Sequence, residues 1–234
     1  MKTIGIIGGM SWKSSLEYYK ILNELIHKKL GGFHSCKCIM YSFDFDEIES
    51  LQAKGEWDKI AEKMIEAGKI LENAGADVLM IASNTIYKVG KQIQGAISIP
   101  LLHIVDAAGK EISRLGLRRI GLLGTSFTME EDFYKDILLK RYNIKTIVPP
   151  DSERELLQHI IFRELVAGIT NEISRRRVIR IMNNLMVRGA EGIILGCTEL
   201  PLLISEKDTN NLLFNSTFLH VKDAVNLVLD ESDC

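Results

Sequence analysis

Two segments of this chain occur twice, in the same order and at nearly the same spacing. Ile4-Gly5-Ile6-Ile7-Gly8-Gly9 is matched 116 residues later by Ile120-Gly121-Leu122-Leu123-Gly124-Thr125. Gly75-Ala76-Asp77-Val78-Leu79-Met80-Ile81-Ala82-Ser83-Asn84-Thr85 is matched 114 residues later by Gly189-Ala190-Glu191-Gly192-Ile193-Ile194-Leu195-Gly196-Cys197-Thr198-Glu199. Any two βα units share a glycine, an acid and an apolar run. Two segments recurring together at one offset argue for more, the duplication of a whole α/β lobe.

The rest of the chain fits that reading. Short apolar runs at 3–7, 78–82, 119–123 and 192–195 have the continuous character of strands buried on both faces. Residues 36–43 alternate as a strand can, and 145–148 and 212–214 are shorter strands. Helical spacing covers 14–30, where Leu16, Tyr19, Leu22, Leu25 and Ile26 recur. It also covers 57–73, 105–115, 129–141, 154–166, 175–187 and 220–229. Strands alternating with helices imply parallel sheets with right-handed crossovers. The predicted fold is α/β: two similar lobes, each a parallel sheet flanked by helices, related by a pseudo-twofold axis with the active site between them. The lobes are expected at 1–97 plus 213–234 and at 98–212, with the terminal helix packing on the first.

A length of 234 residues supplies a substantial core. The formal net charge of −2 offers no basic surface for nucleic acid. No apolar run reaches the roughly 20 residues needed to cross a bilayer, and the first residues read as a strand rather than a signal peptide. The four cysteines, Cys36, Cys38, Cys197 and Cys234, show neither Cys-x-x-Cys spacing nor companion histidines, so no metal site is expected. A reduced, cytoplasmic protein fits best. Cys36 and Cys38 are expected inside and Cys234 in the tail. Neither a dinucleotide fingerprint nor a P-loop is present.

Duplication puts Ser83 and Cys197 at the same place in each copy, just past the carboxyl end of a buried strand. Ligands of open α/β sheets bind at that edge. With the lobes paired about a twofold axis, the two residues face one another. Opposed acid/base groups suit inversion at carbon: one removes a proton from one face and the other returns one to the opposite face. A thiolate serves because its pKa can be tuned towards working pH. A helix beginning after Cys197 would lower its pKa. Asn84, Thr85 and Thr198 suit a carboxylate and an amine, or else cap the following helix. Thr125, the repeat counterpart of Gly9, is a further candidate contact. Glu199 is placed to position the Cys197 loop.

Gly8-Gly9-Met10-Ser11-Trp12, Asn84-Thr85, Leu123-Gly124-Thr125 with Thr128-Met129, and Gly196-Cys197-Thr198-Glu199-Leu200 together resemble the aspartate/glutamate racemase family. The resemblance spans nearly the whole chain. It implies two α/β lobes, a homodimer, and interconversion of amino-acid enantiomers with neither pyridoxal phosphate nor metal. It also implies Cys197 as one of two catalytic bases, and Met10, Ser11 and Gln52 as contacts of a small amino-acid substrate.

Three positions depart from the family pattern. Ser83 stands where the first cysteine is usual, Tyr87 where a histidine often follows, and Asn215 where an aspartate is common. A serine hydroxyl is a poor base without a partner to take its proton. Cys197 is therefore expected to abstract the proton and Ser83, or a water it holds, to return one. The resemblance implies that the Cys197 side works on the L form, so catalysis is expected to favour the L enantiomer. Two other readings remain open. One is an amino-acid-binding homologue that no longer catalyses. The other is a single-cysteine decarboxylase or isomerase of small carboxylic acids. Lys13, Lys54 and Arg163 are available for a distal carboxylate, and spacing selects none of them.

Overall fold

Two separate parallel sheets organise the computed structural model, which describes residues 1–229; Cys234 lies outside them. Two units form, one from residues 1–103 with the segment from His220, the other from Ile104–Leu219. In the first unit β1 (Ile4–Gly8) is central, with β2 (Cys38–Ser42) on one side and β3 (Val78–Ile81) on the other. Its helices are α1 (Trp12–Leu30), α2 (Phe45–Ala53), α3 (Trp57–Asn73) and α4 (Gly90–Ala96). A short 3-10 turn, Thr85–Val89, precedes α4.

The second unit has strand order β5-β4-β6-β7, from β4 (Arg119–Gly124), β5 (Lys145–Ile147), β6 (Ile193–Gly196) and β7 (Leu213–Asn215). Its helices are α5 (Ile104–Arg114), α6 (Ser126–Glu130), α7 (Asp132–Tyr142), α8 (Asp151–Ile160), α9 (Glu172–Val187) and α10 (Leu200–Leu203). A π-helical turn, Ile161–Leu165, follows α8. The chain re-enters the first unit along α11 (Ser216–Val228).

The duplicated residues make equivalent pairings. Gly5 is in register with Leu79 on β3, and its counterpart Gly121 with Ile193 on β6. Each of these glycines lets a helix approach the sheet. A Cβ on Gly5 would lie 3.3 Å from Leu71 of α3, and one on Gly121 would lie 3.0 Å from Leu185 of α9. The acid of each Gly-Ala-acid motif has one structural task. The Asp77 carboxylate accepts the Thr3 N–H at 2.6 Å, while the Asp77 N–H donates to the Thr3 carbonyl. The Glu191 carboxylate accepts from the N–H groups of Arg118 and Arg119, and its own N–H donates to the Arg119 carbonyl. Those two amides hold the Glu191 carboxyl below its usual range.

The lower unit joint differs from the sequence expectation of 98 and 212. The chain passes to the second unit after His103 and returns at His220. Leu79 forms a bridge with Leu101, which ties that segment to the first sheet, and β7 pairs with β6. Buried Val221, Ala224, Val225 and Val228 of α11 pack with Ile4, Tyr18, Leu22 and Met80 in the first core. The second core gathers Leu123, Leu157, Ile160, Val178, Ile181, Leu185 and Ile193. The buried face of α1 carries Tyr18, Ile21, Leu22 and Ile26, whereas Leu16 and Tyr19 face solvent. The apolar stripe read from the sequence therefore mixes two faces of the helix.

His220 is fully buried among hydrogen-bond partners. Its Nε2 lies 3.0 Å from the Leu102 carbonyl and its Nδ1 3.0 Å from the Tyr18 hydroxyl. A carbonyl only accepts, so the ring proton sits on Nε2 and Tyr18 donates to Nδ1. Burial depresses the His220 pKa to about 3, with His103 adding to the effect and the Leu102 carbonyl opposing it. An unfolded histidine takes its proton near 6.5 and the folded one only near 3. Stability is therefore fully present above about 6.5 and lost as pH falls, by about 1.4 kcal/mol per pH unit. Urea midpoints at pH 7 and pH 5 should reveal this loss, and His220→Gln should reduce the difference by about 2 kcal/mol. An equal difference in wild type and variant would show that His220 does not contribute.

Candidate active site

In the first unit the candidate residues lie at the carboxyl edge of the sheet because β1 and β3 end side by side. Ile7 is in register with Ile81, and the Ala82 N–H donates to the Ile7 carbonyl. The next residues, Gly8 to Ser11 after β1 and Ser83 to Thr85 after β3, emerge together. Met10, Ser11, Ser83, Asn84 and Thr85 are all buried. The turn after β1 is closed by Ser15, whose hydroxyl accepts the Gly9 N–H at 2.7 Å and donates to the Ser11 carbonyl at 3.2 Å. Sequence reasoning passed over Ser15. Its signal is the i, i+4 spacing from Ser11, which places both on one side of the first turn of α1.

Gln52 is buried in the last turn of α2, a helix that the sequence analysis had not assigned. Of the three cations considered, Lys54 and Arg163 are exposed. Lys13 is partly buried in the first turn of α1, its Nζ 5.5 Å from the Trp12 ring centre.

The segment after Ser83 turns as a 3-10 helix of five residues, not as an α-helix. Tyr87 anchors it. The Tyr87 hydroxyl donates to the Leu102 carbonyl at 2.6 Å and accepts the Ile81 N–H at 3.2 Å. Nε2 of His220 lies 3.3 Å away, and the Tyr87 ring packs on His103. Lys88 sits 3.9 Å from the centre of the Trp57 ring, a cation–π contact with α3. Tyr87 thus fixes the loop and supplies no base. His220 is neutral and already committed to Leu102 and Tyr18. Among the described residues, none is hydrogen-bonded to the Ser83 hydroxyl.

In the second unit Gly124 is in register with Gly196, so Thr125 and Cys197 leave neighbouring strand ends. Thr125 caps α6 by accepting the Thr128 N–H, and its hydroxyl is 3.2 Å from that of Thr128. Cys197 is 5% exposed, and Thr198 and Glu199 are equally enclosed. The Cys197 thiol donates to the Glu199 carboxylate at 3.0 Å, and the Thr198 hydroxyl donates to the same oxygen at 2.8 Å. The Leu200 N–H donates to the Cys197 carbonyl at 3.2 Å, and the backbone amides of Glu199 and Leu200 favour the thiolate.

The thiol's acidity runs opposite to the sequence expectation. Burial raises the Cys197 pKa well above normal, and the Glu199 charge and hydrogen bond raise it further. The two backbone amides pull it down but do not prevail. The helix after Cys197 is only the four-residue α10, so little helix dipole is available. At neutral pH Cys197 is therefore held as the thiol.

Asn215 has a structural role. Its side chain accepts the Phe218 N–H at 3.1 Å and caps α11. Among the described residues, no cluster of three or more histidine, cysteine, aspartate or glutamate side chains is arranged to hold a metal ion. No helix among them is long and apolar enough to cross a membrane.

A family model described as Asp/Glu/Hydantoin racemase matches residues 7–224. The broad specificity amino-acid racemase of Bacillus subtilis (strain 168) is 23% identical over 242 residues, covering 97% of this chain and 98% of its own. The crystal structure of a Yersinia pestis protein assigned as an Asp/Glu racemase matches with a TM-score of 0.92 and 43% identity, over 98% of this chain and 100% of that one. The structure of an aspartate racemase homologue from Pyrococcus horikoshii OT3 matches with a TM-score of 0.86 and 37% identity, again over 98% and 100%.

Removing the Glu199 charge should make Cys197 more acidic. Alkylation by iodoacetamide at pH 8, followed at the Cys197 peptide by mass spectrometry, should be several-fold faster in Glu199→Gln than in wild type. Equal rates would mean that Glu199 does not set the state of the thiol.

Proposed function

The chain belongs to the Asp/Glu/Hydantoin racemase family, and we propose that it is an amino-acid racemase acting on aspartate or glutamate without a bound cofactor. The observation that carries this reading is the buried Cys197 thiol at a strand end, bonded to the Glu199 carboxylate. In this reading the amino acid binds with its α-ammonium group near Glu199. That positive charge offsets the one that disfavours the thiolate. The thiol proton passes to Glu199, and the thiolate, favoured by the nearby amides of Glu199 and Leu200, takes the α-proton of the L substrate. The carbanion must then be protonated on its other face for inversion to occur.

That second step is assigned to Ser83, or to a water held there. A serine hydroxyl that gives up its proton needs another to replace it, and Tyr87 and His220 are committed elsewhere. We therefore assign Cys197 and Ser83 unequal roles, with L substrate as the better starting enantiomer. Asn84, Thr85, Thr198, Met10, Ser11, Gln52 and Thr125 are proposed substrate contacts, and Glu199 a positioning and proton-accepting group. The same reading makes the protein a cytoplasmic homodimer, supported by the family resemblance and by the free state of Cys36, Cys38 and Cys197.

The unpartnered Ser83 hydroxyl also favours a second reading, an amino-acid-binding homologue that exchanges no proton. Incubation with L- and D-aspartate and glutamate in deuterium oxide separates the two. For L substrate, loss of the α-proton signal should outrun inversion by about tenfold or more, because the carbanion is recaptured on the Cys197 side. D substrate should exchange slowly. Cys197→Ala should abolish exchange, and Ser83→Cys should raise inversion by at least about tenfold. Equal rates of α-proton exchange from both enantiomers would overturn the unequal roles. No exchange at concentrations where binding is shown would move the reading to the binding protein. Release of carbon dioxide from a malonate-like acid would move it to a decarboxylase.

A further inference from the structure

One edge of the first sheet is finished by side chains in place of backbone. The β2 edge is covered only in part, and Cys36 and Cys38, expected inside, are half-buried there. At the β3 edge the chain returns to lie beside the strand. The Leu79 N–H donates to the Pro100 carbonyl and the Leu102 N–H to the Leu79 carbonyl, both at 2.8 Å, so Leu79 and Leu101 form a parallel bridge. In a parallel ladder the next rung would run from the Ile81 N–H to the Leu102 carbonyl. Here the Ile81 N–H donates to the Tyr87 hydroxyl at 3.2 Å, and that hydroxyl donates to the Leu102 carbonyl at 2.6 Å. A phenol oxygen stands between two backbone groups that would otherwise meet.

A second donor keeps it there. A carbonyl oxygen has two lone pairs. At Leu102 one takes the Tyr87 hydroxyl and the other the Nε2–H of His220 at 3.0 Å, so none is left for Ile81. The Tyr18 hydroxyl, at Nδ1, fixes the His220 proton on Nε2. Tyr18, Tyr87 and His220 are all buried, and the Tyr87 ring packs on His103 and meets the His220 ring edge-on. The Tyr87 hydroxyl thus returns to the residue six before it. The segment between, Ser83, Asn84 and Thr85 included, is a short closed loop whose two ends are bonded to one another.

We propose that Tyr87 and His220 are positioning residues for Ser83: the phenol rung, kept in place by His220, sets where β3 gives way to the Ser83 turn and so where the Ser83 hydroxyl stands for the second proton transfer. This rests on the reading of Ser83 as the group that returns a proton. Neither Tyr87 nor His220 gives or takes a proton in that step. Without the phenol oxygen, the Ile81 N–H and the Leu102 carbonyl are free to pair directly, and the ladder closes one rung further towards Ser83. A misplacement of about 1 Å at a reacting group can cost about a hundredfold in rate. The Cys197 step belongs to a different strand end and does not depend on this rung. Asn84 and Thr85 ride on the same loop, so KM rises when the rung is lost.

The test compares the full chain with its Tyr87→Phe, His220→Leu and His220→Gln variants, each given saturating L-aspartate or L-glutamate in deuterium oxide. Tyr87→Phe should keep its rate of α-proton exchange within about twofold while inversion falls by about tenfold or more. His220→Leu should show the same split. His220→Gln should recover inversion to within about threefold of wild type, because its amide donates to Leu102 and accepts from Tyr18. Amide spectra of protein labelled with ¹⁵N at isoleucine, serine and asparagine read the geometry without turnover. The Ile81, Ser83 and Asn84 signals should move in Tyr87→Phe. Equal losses of exchange and inversion in that variant would leave Tyr87 a general structural role and overturn the proposal, as would unmoved Ser83 and Asn84 signals. Failure of His220→Gln to recover inversion would overturn the part given to His220. Absence of exchange from wild type would overturn the racemase reading and the proton step with it, while the spectra would still decide whether Tyr87 places Ser83.

Discussion

Register between the central strand and the strand beside it governs the rest of this structure. Asp77 in one unit and Glu191 in the other clamp the start of the central strand through side chain and backbone together. Six residues beyond each acid stands the residue assigned to chemistry, Ser83 or Cys197. A slip of one residue would turn every side chain of the strand to the opposite face. The clamp thus acts at one end of the sheet to place a hydroxyl or a sulfur at the other. Gly5 and Gly121 complete the constraint by letting α3 and α9 lie close on their sheets. The acid, the glycine and the strand-end residue form one mechanical unit, and the chain contains it twice.

The two copies have diverged in what they offer chemically. After β6, two amides favour a thiolate while burial and Glu199 disfavour it, so the thiol waits protonated. After β3, the polar groups behind the loop are spent on fixing it. Tyr87 is held by Leu102 and Ile81, and His220 is buried in its neutral form. One strand end has a proton acceptor at hand, and the other has rigidity. The asymmetry in the proposed chemistry follows from that difference in surroundings more than from serine and cysteine alone.

Much of this was legible in the residues. The repeat identified the central strands, their partners and the strand-end pair, because short buried strands leave a pattern that periodicity can find. The polarity of the Cys197 site was not legible, since a thiol's acidity depends on enclosure and on where a carboxylate two residues away turns its oxygen. The exposed stripe of α1 was misread because Leu16 and Tyr19 keep helical spacing with Leu22 and Ile26. Spacing alone does not tell a covered face from its neighbour. The short strand β7 was expected with the first lobe because three residues carry too little pattern to show that they pair with β6.

The path of the chain has a kinetic consequence. The second unit is one continuous stretch, Ile104–Leu219, inserted within the first. The core of the first unit needs Val221, Ala224, Val225 and Val228, which follow that insertion. During synthesis from the N-terminus, the inserted unit has all of its residues before the first unit has its last helix. Assembly should therefore run against the usual N-terminal-first order. Until α11 arrives, the apolar surface of Ile4, Tyr18, Leu22 and Met80 that it covers stays open, which makes the nascent first unit the vulnerable half.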